Sequence, residues 1–194
     1  HCGAISLVGG VLSELSIASV VAKSWLFTGV PLRQPRFGPG QLETLFFHDV
    51  ELSQGDFTDY KGGALVFERS LVTGGVWDGA APERMVVVST RVQQAQLGAA
   101  RLHKPVFARS DFEDVGLSGA ELSDAVMLDL ACTRVSMAHC KLHRAVLQGS
   151  VWTESDLREV DFQDANLERA SFTQCELSRA RFHGVKATGF SARA

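Results

Sequence analysis

Residues 155–174 form four consecutive blocks of five, SDLRE, VDFQD, ANLER and ASFTQ. In each block the third residue is large and apolar, the first is small or aliphatic, and the fifth is polar. The same frame extends to both sides, because every fifth residue from Leu102 to Phe182 is apolar. The position two residues after it is never apolar between Lys104 and Arg179. The chain therefore returns a large side chain to its core once in every five residues.

A period of five matches neither an α-helix, which repeats every 3.6 residues, nor an ordinary strand, which repeats every two. Blocks such as Ala165–Arg169 (ANLER) and Ala120–Asp124 (AELSD) resemble the A(D/N)LXX motif of the pentapeptide-repeat family. The resemblance covers residues 100–185. It implies an all-β fold, a right-handed parallel quadrilateral β-helix, in which four pentapeptides form one coil and the large and small residues point inward.

The frame continues toward the N terminus as far as Phe47 and is interrupted at Gly62 and Pro82. We expect degenerate coils in this part, with loops near residues 60–64 and 78–84, where Gly and Pro cluster. Before residue 45 the neighbouring frames are apolar as well. The pattern there leaves further coils or an amphipathic helix over Val11 to Lys23, and Pro31 to Gly40 is predicted to be a loop.

The expected organisation has four parts: a cap or irregular coils over residues 1–44, degenerate coils over 45–99, a regular β-helix over 100–187, and a tail over 188–194. Gly189 and Phe190 are expected to fold over the last coil. An uncovered solenoid end would expose unpaired backbone groups, which favours a homodimer through that end. Because the chain begins at His1, we expect a processed product or a piece of a longer polypeptide.

The charge and cysteine content restrict the classes of function that fit the sequence. The net charge of −3 comes from 19 basic and 22 acidic residues, which does not predict a nucleic-acid partner. Glu14 and Lys23 interrupt the apolar N-terminal stretch, so no membrane span is predicted. Four cysteines in 194 residues form neither a disulfide framework nor a CxxC metal motif, and Cys140 and Cys175 should lie nearly two coils apart. We expect a bacterial cytoplasmic protein, with a secreted effector as the alternative.

Stacking with a 20-residue coil converts the sequence into columns of equivalent positions. Two columns alternate in charge: Arg101, Glu121, Lys141, Asp161, Arg181; and Lys104, Asp124, Arg144, Asp164. We interpret them as surface ion pairs, each stabilising by about 0–1 kcal/mol.

The sequence contains no motif for catalysis, a metal or a cofactor. His103, His143 and His183 share a column, but two coils separate neighbours by about 9–10 Å, which is too far for one zinc ion. His139, Glu159 and Arg179 stack on adjacent coils without a nucleophile in their column. Phosphate loops, HExxH and GxSxG are absent from the sequence. We expect a protein that is not an enzyme and has no cofactor or metal.

One outward column departs from this polar pattern. Val106, Val126 and Val146 stack at one position, with Ala108 and Leu128 two residues further along the strands. Branched aliphatic residues favour strands, so β propensity alone is one interpretation. The other is a contact surface for a second copy of the chain or for a domain that flanks it in a longer polypeptide. The stripe is too small alone for a stable interface, so we expect Phe27 or Trp25 from the N-terminal region to extend it. Covering of the stripe by the chain's own N-terminal region is a third outcome.

Three functions fit the sequence. The first is a non-catalytic scaffold for protein–protein interaction, as part of a larger bacterial secretion-associated protein or effector. The resemblance implies the second, a DNA-mimicking gyrase-binding protein of the fluoroquinolone-resistance type, which requires a long surface of one charge sign. The third is a structural spacer.

Overall fold

The structure of the protein, a computed structural model, describes residues 2–17, 21–39, 41–98 and 100–193. This part of the chain contains strands, turns and bends but no helix. The strands are β1 (Cys2–Val8), β2 (Leu12–Ser13), β3 (Ser16–Ile17), β4 (Val21–Thr28), β5 (Leu32–Arg33), β6 (Arg36–Phe37), β7 (Gln41–His48), β8 (Glu51–Ser53), β9 (Ala64–Glu68), β10 (Leu71–Thr73), β11 (Arg84–Val88), β12 (Arg91–Gln93), β13 (Val106–Ala108), β14 (Asp111–Glu113), β15 (Val126–Leu128), β16 (Ala131–Thr133), β17 (Val151–Thr153), β18 (Ser171–Thr173) and β19 (Ser191–Arg193).

All strand pairs are parallel, and each residue pairs with the residue 20 positions later, as Val66 does with Val86. A 7-stranded sheet, β1-β4-β7-β9-β11-β13-β15, forms what we call face 1. A 10-stranded sheet running from β2 to β19 forms face 2. Face 3 contains β3, β6 and single bridges such as Asp56 to Val76, and face 4 contains bridges such as Glu121 to Lys141. The expected fold class is confirmed as a four-sided solenoid of about 9 turns.

The corners of the coils explain the position that is never apolar. Non-glycine residues in the left-handed region, from Glu14 to Arg179, all fall at this position of the pentapeptide, with φ between 44° and 62°. Branched side chains are strongly disfavoured there. The position therefore takes Asp, Arg, Gln, Glu, Gly and similar residues, since they tolerate the turn and remain in solvent.

The core is a stack of the large inward side chains. In the N-terminal coils two aromatic columns run side by side: Phe27, Phe47 and Phe67 below face 1, and Phe37, Phe57 and Trp77 below face 3. Neighbouring rings within the first column stack with centroids 5.2 and 4.7 Å apart. Rings of different columns meet edge to face. Each fully buried side chain of this kind contributes about 1.5–3 kcal/mol, so the stack holds successive coils together.

Two expectations for the N-terminal part are wrong. Within its described residues, the alternative helix over Val11 to Lys23 is replaced by β2, β3 and the start of β4, and the predicted loop over Pro31 to Gly40 contains β5 and β6. Residues 18–20 and 40 lie outside the described part of the chain. The apolar residues in neighbouring frames belong to strands and not to a helix. In these strands more than one position of the pentapeptide points a large side chain inward. β7 crosses the expected boundary between residues 44 and 45.

The segments 60–64 and 78–84 do not leave the coil. The backbone N–H groups of Ala81 and Glu83 donate to the carbonyls of Tyr60 and Gly62 in the coil before. Tyr60 is fully buried, and a Cβ on Gly62 would meet its hydroxyl. The tyrosine thus fills the space that the glycine leaves, and the solenoid passes through the interruption.

The C-terminal residues also continue the solenoid rather than fold over it. β19 pairs in register with β18, Ser191 with Ser171. The Phe190 ring packs against Phe172, with centroids 5.0 Å apart.

Candidate protein-contact face

The predicted stripe lies on face 1 and is longer than the sequence indicated. Val106, Val126 and Val146 are paired in register, and Ala108 pairs with Leu128. All five side chains are partly exposed. The same outward column continues toward the N terminus through four further apolar residues, all partly exposed: Leu26, Phe46, Val66 and Val86.

We call this column of seven residues, Leu26 to Val146 at intervals of 20, the apolar ladder. It was shortened in the sequence analysis because the coils before residue 100 were expected to be irregular. The stacking interval of 20 residues, extended backward, would have found the other four members. The N-terminal end of the ladder is formed by Leu26 and Phe46, whereas the expected neighbours Phe27 and Trp25 pack toward the core.

The adjacent faces carry charged residues at many equivalent positions, with apolar exceptions such as Leu71 and Val151 on face 2. On face 2 the outward residues include Arg91, Asp111 and Glu113, and on face 4 they include Glu121 and Lys141. The repeat does not require apolar residues outside, so the ladder is a property of face 1.

The charged columns form ion pairs between coils. Lys141 Nζ lies 2.6 Å from Glu121 Oε1, and Arg144 Nε lies 2.8 Å from Asp124 Oδ1. Hydrogen bonds from Arg144 hold the pKa of the Asp124 carboxyl below its usual range. These pairs neutralise charge locally, as their alternation in the sequence predicted.

One histidine of the predicted column lies beside a carboxylate. His143 Nε2 lies 3.0 Å from Asp161 Oδ2, and that contact is the main cause that lowers the pKa of Asp161. Among the described residues, no group of three or more His, Cys, Asp or Glu side chains is placed to hold a metal ion.

His139, Glu159 and Arg179 do form a chain on adjacent coils. His139 Nδ1 and Arg179 Nη1 each lie 3.3 Å from a carboxylate oxygen of Glu159. Cys140, which was not considered beside this column, lines the same shallow depression. Its thiol is buried and donates to the carbonyl of Leu117 at 2.9 Å, and burial raises its pKa to about 12. A thiol this weakly acidic is a poor nucleophile at neutral pH.

The interior offers little room for a ligand. A cavity of about 10 Å³ lies between Phe67, Trp77, Val87 and Phe112, where the aromatic columns give way to valines. That is about the space of one water molecule. No helix in the described residues has the length and apolar character to cross a membrane.

The fold and the surface define a class of protein: a parallel β-helix solenoid with ion-paired polar faces and one apolar face. The family model for pentapeptide repeats matches residues 136–174, with 8 copies. Over these residues the chain is similar to pentapeptide-repeat proteins, and no catalytic family is indicated.

Solved structures of pentapeptide-repeat proteins are similar to this chain. HetL, involved in heterocyst differentiation regulation in the cyanobacterium Nostoc sp., is 18% identical, with 96% of this chain and 90% of HetL covered and a TM-score of 0.33. Full-length QnrB1, a plasmid-mediated fluoroquinolone resistance protein, is 13% identical, with 94% and 93% covered and a TM-score of 0.33. Rfr23 of the cyanobacterium Cyanothece is 20% identical over 46% of this chain and 65% of its own, with a TM-score of 0.31. No curated protein matches the sequence.

Proposed function

We propose that this protein is a rigid, non-catalytic scaffold that binds another protein through face 1. The observation that carries the proposal is the apolar ladder with its second row, Val88, Ala108 and Leu128, on a solenoid whose other faces carry ion pairs. Contiguous apolar surface rimmed by polar residues is typical of protein contact sites. A solenoid side also gives such a surface a fixed shape.

The setting that we propose is a module within a larger bacterial secretion-associated protein or effector, because a scaffold supplies a binding surface and leaves chemistry to other domains. A reducing compartment such as the bacterial cytoplasm fits the free thiols of Cys132, Cys140 and Cys175.

The test is a double variant, Val126→Asp with Leu128→Lys, used as bait beside the wild type. Proteins bound to each from bacterial lysate are cross-linked, and the cross-links are mapped on the bait. Val151→Asp with Thr153→Lys is the matched control, because these residues hold equivalent outward positions on face 2. We expect cross-links on face 1 that the first variant removes and the control retains.

Melting temperatures separate binding from folding. Loss of capture at an unchanged melting temperature supports the scaffold proposal. Capture that survives the face 1 variant contradicts it, and a large fall in melting temperature for that variant alone means that face 1 is structural.

A further inference from the structure

The apolar ladder runs unbroken over seven coils of face 1. Its members pair in register from Leu26 to Val146, and it ends at Asn166 on one side and Ser6 on the other. With coils about 4.8 Å apart, the ladder is about 29 Å long. Each member shields its neighbours, so all are partly exposed rather than fully exposed. The surface is flat, continuous and has no covering element among the described residues.

The size of this surface fits a modest dimer. Seven coils by the width of one side give a footprint of about 30 by 15 Å, or about 450 Å², which is a little over half of the roughly 800 Å² per partner of a standard interface and is the size of a weak, concentration-dependent contact. The five residues predicted from the sequence span only about 10 Å of this length. The extension through Leu26, Phe46, Val66 and Val86 therefore brings the surface to the size of a weak protein contact.

We propose that face 1 binds face 1 of a second copy of this chain, with the two solenoids antiparallel. The inference rests on the proposed function in assigning face 1 to protein contact, and it goes further by naming the occupant. The two sheets would pack about 10 Å apart, as the sheets of a β-sandwich do. Such an interface is isologous, because each copy contributes the same surface.

The direction follows from the columns beside the ladder. A twofold axis parallel to the strands makes the two solenoids antiparallel. The apolar ladder of one copy then faces the ladder of the other, and each column beside the ladder faces the same column of the second copy. A twofold axis along the solenoid instead lays Val88, Ala108 and Leu128 on the opposite flank of the second copy, which contains Arg84, Lys104 and Asp124. Apolar against charged surface is unfavourable. The antiparallel arrangement sets one carboxylate, Glu68, against this apolar row, whereas the other arrangement sets three charged residues against it, so the antiparallel one is preferred.

The register follows from charge. With the axis between the coils of Val66 and Val86, each of these valines faces the other in the second copy. Asp49 then faces Arg109 of the second copy, and Glu68 faces Val88. Centring the axis on Val86 would place Asp49 against Asp129 and Arg69 against Arg109, which juxtaposes like charges.

Arg109 supports this register independently. Its neighbours Arg69 and Arg91 are paired with Asp49 and Asp111 at 3.0 and 3.5 Å. Among the described residues, Arg109 has no carboxylate oxygen within 4.0 Å. The antiparallel dimer gives it a carboxylate across the interface, and the charge complementarity fixes which coils face each other.

The first test measures mass by sedimentation over increasing concentrations of the whole protein. We expect the mass to rise from 21.0 kDa toward twice that value. Val86→Asp should weaken self-association at least about tenfold, since a charge buried without a partner is costly at an interface. Leu71→Asp is the matched control, because Leu71 is also a partly exposed apolar strand residue, but on face 2. Val86→Thr keeps the branched shape and serves if the aspartate variant fails to fold.

The second test addresses the arrangement. Val66→Asp and Val86→Lys are purified separately and then mixed. Each alone should remain monomeric, whereas the mixture should form a heterodimer, because the new aspartate faces the new lysine. No heterodimer overturns the proposed register, and a wild type that stays at 21.0 kDa at all concentrations overturns the dimer. A monomeric wild type that still captures another protein through face 1 leaves the scaffold proposal intact, so the two failures differ.

Discussion

Cys132 occupies a large-residue position beneath face 2 between two aromatic neighbours. It pairs in register with Phe112 on one side and Trp152 on the other, and all three are buried. The small thiol leaves room for the two rings. Its burial raises the pKa of the thiol well above its usual value, so Cys132 is a packing residue and not a reactive one.

Cys132→Leu should destabilise the protein, because the added atoms press on Phe112 and Trp152. Overpacking of this kind costs about 1–3 kcal/mol in the free energy of unfolding. Met137→Leu, at another buried large position, conserves volume and should change stability less. Chemical denaturation of both variants measures the difference.

A second change at Leu130 tests whether overpacking at Cys132 can be compensated. It is large at a small-residue position, two residues before Cys132, and is also buried. Leu130→Ala combined with Cys132→Leu should be less destabilising than the sum of the two single changes, because the residues share the core volume of one pentapeptide. Additive effects would show that they do not.

Tyr60 and Gly62 show the same exchange of volumes, which explains why this interruption misled the sequence analysis. A large residue at the small position and glycine at the large one look like a broken repeat in a linear frame. In three dimensions the Tyr60 ring occupies the space that Gly62 leaves empty. Burial raises the pKa of Tyr60 to about 12, as expected for a phenol in the core.

At the scale of the strand and its corner, ion pairs tie one coil to the next. Arg134 lies 2.7 Å from Asp114 Oδ1 through its Nε and 2.7 Å from Glu113 Oε1 through its Nη2. Hydrogen bonds from Arg134 lower the pKa of Asp114. The pKa of Glu113 is also lowered, mainly by a hydrogen bond from Gln93 and to a smaller extent by one from Arg134. All these groups are near the surface, so the stabilisation is small and is screened by salt.

Arg134→Ala should lower the melting temperature at neutral pH and not in acid. A carboxyl whose pKa is lowered on folding stabilises the native state above its usual pKa, 3.8 for Asp114 and 4.5 for Glu113. That stabilisation is lost as the pH falls through the lowered values. Arg101→Ala is the control, since Arg101 forms no ion pair with the described residues. A difference between wild type and Arg134→Ala that persists in strong acid would contradict the ion-pair account.

The sequence predicted the regular coils well, because in them every fifth residue is large, apolar and directed into the core. The large positions from Leu102 to Phe172 are all buried. The rule weakens at Leu177, which is partly exposed, and at Phe182, which is exposed, because only one coil covers them. The sequence also shows that the position two residues after the large one is never apolar in the regular coils. The cause, a left-handed backbone at the corner of each coil, became clear only from the φ angles.

The apolar ladder was only partly predictable. Its last three valines lie in the regular repeat, whereas its first four members lie in coils whose frame is obscured by apolar residues in neighbouring columns. Trp25, Leu45, Leu65 and Met85 are such residues, since they turn large side chains toward the core from a position that elsewhere holds small ones. A period of five is hard to see where two adjacent columns are both large.

At the scale of the whole molecule, the solenoid distributes charge in columns rather than in patches. The columns along face 4 and its corner alternate in sign, and contacts such as Lys141 with Glu121 and Arg181 with Asp161 pair them. DNA in contrast carries one negative charge per about 1.7 Å of its axis. A surface that imitates DNA must be acidic along its whole length, which this one is not.

The protein should therefore neither inhibit supercoiling by gyrase nor protect gyrase from a fluoroquinolone. Even a fully acidic column would carry one charge per about 4.8 Å, which is sparser than DNA. The column here alternates in sign instead, through Arg101, Glu121, Lys141, Asp161 and Arg181, so most of its negative charge is neutralised. A supercoiling assay with increasing protein measures the effect. The matched variant Arg101→Glu, Lys141→Glu, Arg181→Glu makes the column wholly acidic on the same fold. If only this variant inhibits gyrase, charge alternation is what excludes DNA mimicry. Inhibition by the wild type would contradict the prediction and favour the gyrase-binding function over the scaffold.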